Sequence, residues 1–463
     1  DTASTGVNKI VSGNLKVDII GENSDSHIEK LNFKKTAATD AEAGAAILWE
    51  PGCRYLTEGF RIANKGNLAL KWKAQVNMNN IINGKVEGST IAKDGKSLLD
   101  VIDFYVVTST DKNAEAVAIE NFVGNLTAGA KSGVYYIKGV MQTTAGNDYQ
   151  GLTLDGITIT VVATQDTVEN DSFNNQYDKD AEYPILVTTG DELQAIVSNA
   201  TAPVNIVLAN SITTNNFVIP ADKDVTLDLN GRTVTNAGSH TILNKGHLTL
   251  TDSSADKSGQ IISLKGNTAA LRNGDNAVCV VEGGTISRDG ADGNTWHVVE
   301  NFGKMTFNGG KVVLKNGNGF AITNGWNYFD PGASTTHAVM EINALELDTD
   351  SSGIKNCRYG DLTVNDVTVT STGYWALSND YLGTAVINGG TLTSNSFKAV
   401  SNGAAMTVNG GTFDGTEGLF VQSYATSTVL NGGTFTNMNV DALSSYVGTG
   451  HTAQQSGTSV IIK

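Results

Sequence analysis

The chain has 463 residues, of which 40% are hydrophobic, and its formal net charge at pH 7 is -16. No stretch approaches the roughly 18 to 20 consecutive apolar residues of a membrane-spanning helix, and an acidic chain disfavours nucleic acid and anionic membrane surfaces, which bind basic faces. We therefore predict no membrane span and no nucleic-acid partner. With 51 Gly, only 5 Pro and 17% charged residues, the composition is typical of strands and turns rather than helices.

The first half of the chain alternates apolar and polar residues with the period of two expected of half-buried strands. The clearest alternating runs are Leu15–Ile20, Phe60–Asn64, Ala69–Val76 and Leu152–Val162. These runs predict an antiparallel β-sandwich over residues 13–165. The segment Ser97–Phe104 fits a short helix and a strand equally well.

Residues 166–184 are acidic, poor in aliphatic side chains and end in proline, so we predict a linker between two domains. Its acidic residues include Asp166, Glu169, Asp171, Asp178 and Asp180. They could hold calcium, but they lack the spacing of a calcium-binding loop, and a solvated linker is favoured. The three cysteines are too scattered for a metal site or a disulfide framework. We predict no metal site and no cofactor.

An internal repeat fills residues 185–463. A Gly-Gly pair or a stand-in follows Asn or Glu and precedes a strand, with its first residue at Gly283, Gly309, Asn365, Gly389, Gly410 and Gly432. A unit this short cannot bury its own apolar face, so the repeats must stack as roughly 11 to 12 coils of a β-solenoid. Glycine tolerates the positive φ of a coil corner. The segment Thr188–Ser198 has helical apolar spacing and is predicted to cap the first coil.

This second half resembles the right-handed parallel β-helix domains of pectin-lyase-like proteins. The resemblance is carried by Val225–Val234 and Leu243–Ser253, and the handedness comes from the resemblance alone. Enzymes with this fold cleave acidic polysaccharides. A lyase of this type uses carboxylates that bind calcium and an Arg or Lys as the base, whereas a hydrolase uses a pair of carboxylates that flank the scissile bond.

The sequence of this half does not contain those catalytic patterns. It has no Asp-Asp pair, no Gly-His-Gly and no Arg-x-Lys, and its 14 Lys and Arg against 23 Asp and Glu would repel a polyanion. This half has four arginines, Arg232, Arg272, Arg288 and Arg358. We expect their side chains to be solvated or to pack along their aliphatic stems rather than to take part in catalysis. We predict that the chain is not an enzyme and has no catalytic residues.

The first half resembles the TasA and camelysin family of secreted Gram-positive fibre proteins. The matching motifs are Gly13–Ile19, the turn with Pro51 and Gly52, the strand and turn with Phe60, Asn64 and Gly66, and a closing strand that ends in Ala163, Thr164 and Gln165. The resemblance implies a jelly-roll-like sandwich and a secreted subunit at the cell surface or in a biofilm matrix. It also implies filaments in which the N-terminal segment of one subunit adds as a strand to the next.

Residues 1–12 are the candidate donor strand, with Val7, Ile10 and Val11 as apolar anchors. Strand addition needs an extended donor whose apolar side chains enter pockets of the acceptor. Head-to-tail donation is a heterologous contact and gives an open homopolymer. The alternatives are a frayed terminus and a segment that pairs with its own sheet.

Two loops carry the candidate ligand contacts. Between Gly317 and His337 the repeat is longer than a coil, and the excess contains Trp326, Tyr328 and Phe329. A second loop with Trp296 is expected on an adjacent coil. Exposed aromatic rings offer rigid apolar faces to sugars or proteins; alternatively they only cover the coil beneath.

The sequence thus predicts an all-β, two-domain structural subunit of an extracellular filament, with the β-helix as a lateral decoration that contacts surface or matrix glycans. The first alternative is a monomeric cell-surface glycan-binding adhesin. The second alternative is a polysaccharide lyase.

Overall fold

The structure is a computed structural model that describes residues 14–28, 31–34, 49–77, 81–82, 85–86, 96–111, 114–118, 122–152, 158–166, 182–236, 238–290, 296–326 and 336–463. The chain divides after residue 185 into two compact units, with the short stretch 81–84 grouping with the second. We call them the N-terminal unit and the solenoid. The candidate donor anchors Val7, Ile10 and Val11, and most of the predicted linker, lie outside the described residues.

The N-terminal unit is built from antiparallel sheets. The strands before residue 166 are β1 (Val17–Gly21), β2 (Phe33–Lys34), β3 (Arg54–Thr57), β4 (Phe60–Asn64), β5 (Leu70–Asn77), β6 (Ile81–Ile82), β7 (Lys85–Val86), β8 (Ile102–Val107), β9 (Val117–Ala118), β10 (Val123–Leu126), β11 (Tyr136–Met141) and β12 (Thr158–Gln165). Their sheet orders are β1-β4, β10-β5-β12, β2-β3-β11-β8-β9 and β6-β7. The alternating runs of the sequence form strands where the structure describes them, as predicted.

Trp72 lies at the centre of the core of this unit. Its side chain is 1% exposed, and its ring meets that of Phe122 edge-on at 4.7 Å between centroids. Phe60 and Ile62 of β4 pack in the same cluster. The ambiguous segment contains both predicted elements, because a 3₁₀ turn at Leu98–Asp100, capped by Ser97, leads directly into β8.

The family-motif residues of β4 and the following turn are structural. Asn64 is buried, its Nδ2 donates to the carbonyls of Leu68 at 2.7 Å and Thr127 at 3.1 Å, and its Oδ1 accepts from the Gly66 amide at 2.9 Å. At Gly66 a Cβ would lie 2.1 Å from the carbonyl oxygen of Asn14. This turn therefore requires Asn and Gly for the chain to pack closely, and Phe60 fills the core beside it.

The remaining motif positions are also backbone features. Gly52 follows Pro51 in a turn with φ 84, and its amide donates to the Met141 carbonyl at 2.9 Å. The closing residues Ala163, Thr164 and Gln165 are the end of β12 and pair with β5. Tyr183, at the end of the predicted linker, donates its hydroxyl hydrogen to the Trp72 carbonyl at 3.3 Å.

The solenoid is a parallel β-helix of about ten turns. Its eleven-stranded sheet contains β13 (Ile185–Val187), β14 (Val204–Leu208), β17 (Asp224–Asp228), β20 (His247–Thr251), β23 (Val278–Val281), β26 (Lys304–Phe307), β29 (Ala338–Ile342), β32 (Gly360–Val364), β35 (Thr384–Ile387), β38 (Ala405–Val408) and β41 (Ser427–Leu430). Its twelve-stranded sheet contains β15 (Ile212–Thr214), β18 (Thr233–Asn236), β21 (Gln260–Ser263), β24 (Thr285–Asp289), β27 (Lys311–Lys315), β30 (Glu346–Thr349), β33 (Thr368–Ser371), β36 (Thr391–Ser394), β39 (Thr412–Asp414), β42 (Gly433–Phe435), β44 (Ser459–Ile462) and β43 (Ala453–Ser456).

The third sheet has nine strands. They are β16 (Val218–Ile219), β19 (Ile242–Asn244), β22 (Leu271–Asn273), β25 (Val299–Asn301), β28 (Phe320–Asn324), β31 (Ser352–Asn356), β34 (Leu377–Asn379), β37 (Val400–Asn402) and β40 (Leu419–Val421). One coil contributes one strand to each sheet, and the inward side chains of the three sheets form one continuous core.

Both ends of the solenoid are capped. Helix α1 (Gly190–Asn199) begins at Thr189, whose side chain accepts from the Glu192 amide, and it buries Leu193 and Val197, as predicted. At the other end, α2 (Val440–Leu443), a 3₁₀ turn and the antiparallel pair of β43 and β44 follow the last coil. The predicted 11 to 12 coils were too many because these C-terminal residues form a cap. None of the helices that the structure describes has the length and apolar character of a membrane span.

Two asparagine ladders stack the coils. In the buried ladder each Nδ2 donates to the Oδ1 of the next rung at 2.7 to 2.9 Å, through Asn244, Asn273, Asn301, Asn324, Asn356, Asn379 and Asn402. In the outer ladder the Asn before a glycine pair, or at the same position of a coil without one, donates to the rung before it at 2.7 to 3.0 Å, through Asn308, Asn343, Asn365, Asn388, Asn409 and Asn431.

The glycine pairs lie at coil corners, as predicted. The second glycine has φ between 91 and 111 at Gly284, Gly310, Gly390, Gly411 and Gly433. The predicted stand-in for a glycine pair at Asn365 is wrong by one residue. Thr391 pairs with Thr368, so Gly389 and Gly390 correspond to Asp366 and Val367.

Candidate functional site

The aromatic side chains of the solenoid are concentrated on one side. Apart from four buried core phenylalanines and Tyr446 of the C-terminal cap, every described aromatic residue of the solenoid lies in the nine-stranded sheet or in the turns that border it. We call this surface the aromatic face. Its residues are Trp296, Phe302, Phe320, Trp326, Tyr359, Tyr374, Trp375, Tyr381, Phe397, Phe420 and Tyr424.

The strands of this sheet explain why polar side chains line the same surface. Most read apolar-x-Asn, with the apolar residue and the ladder Asn buried. Since successive residues of a strand point to opposite faces, the middle residue points outward. In register these middle residues are Leu243, Arg272, Glu300, Thr323, Lys355, Ser378 and Ser401, and Phe420 has the same position in β40.

A chain of contacts connects the two tryptophans predicted as candidate ligand contacts. Trp296 Nε1 donates to Glu300 Oε1 at 2.9 Å, and Glu300 Oε2 accepts from Arg272 Nη1 at 2.8 Å. The Arg272 guanidinium lies 4.6 Å from the centre of the Phe302 ring, and that ring lies 4.4 Å from Trp326. The expectation that the two loops lie on neighbouring coils agrees with this geometry, although Tyr328 and Phe329 lie outside the described residues.

Glu300 is the electrostatic centre of this cluster. It is 3% exposed, and both of its oxygens accept hydrogen bonds, from Trp296 and Arg272. Burial lowers the pKa of His297, whose Nδ1 lies 2.9 Å from the Phe320 carbonyl oxygen, and the charge of Glu300 offsets part of that shift. Burial likewise lowers the pKa of Arg288 to about 10. These two hydrogen bonds hold the Glu300 carboxylate between Trp296 and Arg272.

Further along the face, an open cleft of about 250 Å³ lies over the last coils. Trp375 and the exposed ring of Tyr424 line it together with Lys355, Asp380 and Gln422. Lys355 Nζ lies 3.1 Å from an Asp380 carboxylate oxygen, so the charges within the cleft are paired. The cleft offers flat rings, amides and hydroxyls to a ligand.

The Phe420 ring packs against Trp375, one of the residues that line the cleft. It stacks on Trp375 with 6.0 Å between centroids, and Lys398 Nζ lies 3.6 Å above its centre. Lys398 also lies 3.1 Å from Glu417. These contacts hold the Trp375 side chain in one orientation. Less side-chain conformational entropy is therefore lost when a ligand binds.

The extra residues of the long repeat begin later than predicted. Phe320–Asn324 form the regular strand β28, so the insertion starts only after Trp326. Sequence reasoning also treated Arg272 as solvated or packed along its stem, whereas it pairs with Glu300. The apolar-x-Asn motif at the end of each strand was the signal that could have identified the outward residues, because the ladder Asn sets their register.

Within the described ranges, no three His, Cys, Asp or Glu side chains come together as a potential metal site. The three thiols are free; burial raises the pKa of Cys279 and of Cys357 to about 12. The chain matches no known family model, curated protein or solved structure with which it was compared.

Proposed function

We propose that this chain is a non-enzymatic extracellular structural protein whose β-helix is a rigid arm that binds glycans through the aromatic face. The observation that carries the proposal is that all outward-facing aromatic residues of the described coils lie in the nine-stranded sheet or in the turns that border it. Had these rings served only to cover the coils, they would be expected on the other two sheets as well. Four of them, Trp296, Tyr374, Tyr381 and Tyr424, are also exposed.

The chemistry of the face suits saccharides. Sugar rings present apolar C–H faces that pack on aromatic rings, and their hydroxyls need both donors and acceptors. Ser378, Asp380 and Gln422 supply these beside Trp375 and Tyr424. Aromatic rings gathered on one side of a protein, with polar neighbours, are also typical of surfaces that bind other proteins. A protein partner is therefore the alternative outcome of the test.

A binding role agrees better with the carboxylates of this face than catalysis does. Glu300 is held by Arg272 and Trp296, and Asp380 is paired with Lys355. A general acid or base needs a proton that can move to the substrate. The proposal is overturned if an acidic polysaccharide yields unsaturated product absorbance that disappears when Arg272 is replaced by Ala.

The binding test compares the intact chain with two variants of the cleft, Trp375→Ala and Tyr424→Ala, on a panel of neutral and acidic oligosaccharides. Val339→Ala is the control, because Val339 is an exposed apolar residue of the eleven-stranded sheet. We expect at least one saccharide to bind and the cleft variants to bind it about tenfold more weakly. Absence of binding to every saccharide, or equal binding by all variants, contradicts the proposal.

We propose, as a second function of the same chain, polymerisation into a filament through the N-terminal unit, as its resemblance to the TasA and camelysin family implies. We also propose that the β-helix is right-handed and related to the pectin-lyase-like domains that its sequence resembles. One observation favours strand addition: among the described residues, β10 pairs on one side only, with β5, and its Val123 is 56% exposed. An edge strand with unpaired backbone groups is a template for another strand.

Electron microscopy of the intact chain beside a version without residues 1–12 tests the filament. Filaments that depend on residues 1–12 are expected. Monomers in both samples refute assembly and leave the monomeric adhesin, while the glycan measurement above remains valid for either state.

A further inference from the structure

An ion pair between two neighbouring coils lines the open cleft of the aromatic face. Lys355 is an outward residue of β31, Asp380 follows β34, and Lys355 Nζ lies 3.1 Å from Asp380 Oδ2. Their side chains are 26% and 36% exposed, so a ligand in the cleft can reach both. An exposed ion pair adds little to stability, and stability alone therefore gives little reason for its place in the cleft.

The carboxylate of Asp380 is held in a fixed orientation. Its Oδ1 accepts from the Tyr381 amide at 2.8 Å, and its Oδ2 is paired with Lys355. The Asp380 amide donates to the Asn356 carbonyl at 2.8 Å, and the Asp380 carbonyl accepts from the Gly383 amide at 2.9 Å. Since these contacts already restrain the residue, a ligand does not have to order it.

Both charged groups keep hydrogen-bonding capacity for a ligand. An ammonium group has three N–H donors and a carboxylate has about four acceptor sites, of which the contacts with Asp380 and Tyr381 use only a part. Lys355 Nζ also lies 5.6 Å from the centre of the Phe320 ring, which lines the same cleft. The cleft thus presents a donor and an acceptor 3.1 Å apart whose charges cancel.

Two aromatic residues flank the outward side chains of the same sheet. Trp375 precedes β34, whereas Tyr424 follows β40. Because the strands run parallel, the turns before and after them border opposite edges of the sheet. Ser378 and Ser401 are paired outward residues of β34 and β37 and lie between these edges. A ligand over these serines therefore has an aromatic residue on each side.

Gly403 allows the Tyr424 ring to lie against the backbone of the neighbouring coil. A Cβ at residue 403 would lie 2.7 Å from Tyr424 Cε2, and Gly403 itself lines the cleft. Tyr424 is nevertheless 56% exposed. The backbone thus supports one part of the ring and leaves another part available to a ligand.

We propose that this cleft binds a neutral sugar ring through a vicinal diol, which is a pair of hydroxyls on neighbouring carbons. One hydroxyl accepts from Lys355 Nζ and the other donates to the Asp380 carboxylate, while the sugar ring packs on Trp375 and Tyr424. The oxygens of a gauche diol lie about 2.9 Å apart, the length of an ordinary hydrogen bond. They therefore match the 3.1 Å between Lys355 and Asp380. This inference rests on the proposed glycan-binding function and names the sugars that the cleft binds.

Other polar groups fit the ion pair less well. A carboxylate would be attracted by Lys355 but repelled by Asp380, and an ammonium group would experience the reverse. A secondary amide has one donor and one acceptor, but the two point in opposite directions because the amide is trans. The expected ligand is therefore uncharged at this position and has two adjacent free hydroxyls.

The test compares two probes that differ by one oxygen, methyl β-glucopyranoside and its 3-deoxy derivative. The 3-hydroxyl belongs to both vicinal diols of the parent sugar, so its loss removes both. Methyl β-galactopyranoside and methyl α-mannopyranoside, each with its own 3-deoxy derivative, cover the other common configurations. The readout is the set of indole N–H signals in a proton–nitrogen correlation spectrum of the intact chain, which has 5 tryptophans. Trp375→Phe assigns the Trp375 signal.

Asp380→Asn and Lys355→Met each remove one charged partner of the diol and nearly keep the size of the side chain. The matched control is Asp348→Asn, because Asp348 forms a similarly exposed ion pair with Lys315, at 3.0 Å, on the twelve-stranded sheet. At least one parent sugar should bind about tenfold more tightly than its 3-deoxy derivative. This ratio should fall towards one in Asp380→Asn and Lys355→Met, with the affinity for the 3-deoxy sugar unchanged, and should persist in Asp348→Asn. A merely structural role of the pair would instead weaken the binding of both probes together.

Four results would overturn the proposal. The first is an equal affinity of the intact chain for the parent and 3-deoxy sugars. The second is a preference that persists in Asp380→Asn and Lys355→Met, which would place the diol elsewhere. The third is an equal affinity for glycerol, which has a vicinal diol but no ring. The fourth is a failure of all three parent sugars to shift the Trp375 signal at any concentration up to solubility. If Trp375→Ala still weakens the binding of an oligosaccharide in any of these cases, this inference fails alone and the proposed function stands.

Discussion

Replacement of Asn301 by Ala tests whether the buried asparagine ladder holds the coils together. Asn301 is fully buried, and its Nδ2 donates to Asn324 Oδ1 at 2.7 Å and to the Val339 carbonyl at 2.9 Å. Its Oδ1 accepts from Asn273 Nδ2 at 2.8 Å and from the Gly303 amide at 3.2 Å. The side chain thus bonds to the coils on both sides of its own.

The magnitude follows from what the substitution leaves unpaired. Asn273 Nδ2 keeps two other acceptors, the carbonyls of Ala277 and Lys304, whereas Asn324 Oδ1 and the Gly303 amide lose the donor and the acceptor that the ladder supplied. Each buried group left without a partner costs about 1 to 3 kcal/mol, so for these two groups we expect a loss of roughly 2 to 6 kcal/mol.

The matched control is Asn388→Ala in the outer ladder. Asn388 also donates to one rung and accepts from another, both at 2.8 Å, but it is exposed to solvent. Water can replace its partners, so its loss should cost no more than about 1 kcal/mol. The two variants differ in burial and not in chemistry.

Hydrogen exchange measured by mass spectrometry is the suitable assay, because a solenoid unfolds coil by coil and one global transition does not describe it. Asn301→Ala should accelerate exchange of the amides of β25 and β28 by more than tenfold, since ~1.4 kcal/mol is a factor of ten. If both variants changed exchange equally, or if Asn301→Ala left β28 unaffected, the ladder would not carry the stability assigned to it.

Three further predictions concern other parts of the chain. Gly325→Ala should destabilise its coil by about 1 to 3 kcal/mol, because φ 92 is strained for a residue with a Cβ. Hydrogen exchange of the β28 amides checks this, and an unchanged exchange rate would contradict it. At pH 8 a thiol reagent should label Cys53 before Cys279 and Cys357, because burial raises the pKa of the last two to about 12; simultaneous labelling of all three would show that the coils open. The solenoid should lose stability as the pH falls below 6.5, because burial holds the pKa of His297 below that value in the folded state and only the unfolded chain gains the proton there. His297→Gln should flatten the dependence of stability on pH. An unchanged slope of stability against pH would assign the dependence to another group.

Much of the solenoid could be predicted from local patterns. The repeated Asn-Gly-Gly motif requires a positive φ at a fixed interval, and Gly390 and Gly411 have φ 98 and 109 at the predicted corners. The helical spacing of Leu193 and Val197 likewise predicted the cap. These features depend on residues close in the chain, so that a single segment contains the information.

The relation between coils could not be read from any single segment. The rungs of both ladders are unevenly spaced, at 21 to 35 residues in the outer ladder and 23 to 32 residues in the buried ladder, because the turns between strands differ in length. The sequence therefore gave no indication that Arg272 and Glu300 form an ion pair. Only the register of β22 and β25 places them opposite each other.

The sequence by itself determined that the chain is all-β, that its first part forms antiparallel strands and that its second part stacks short coils, because period and glycine placement are local properties. The tertiary structure alone decided which side chains share a surface. Trp296 and Trp326 are joined through Glu300, Arg272 and Phe302 because strand pairing brings successive coils into lateral contact, and burial of the ladder Asn at the end of each strand sends the residue before it outward.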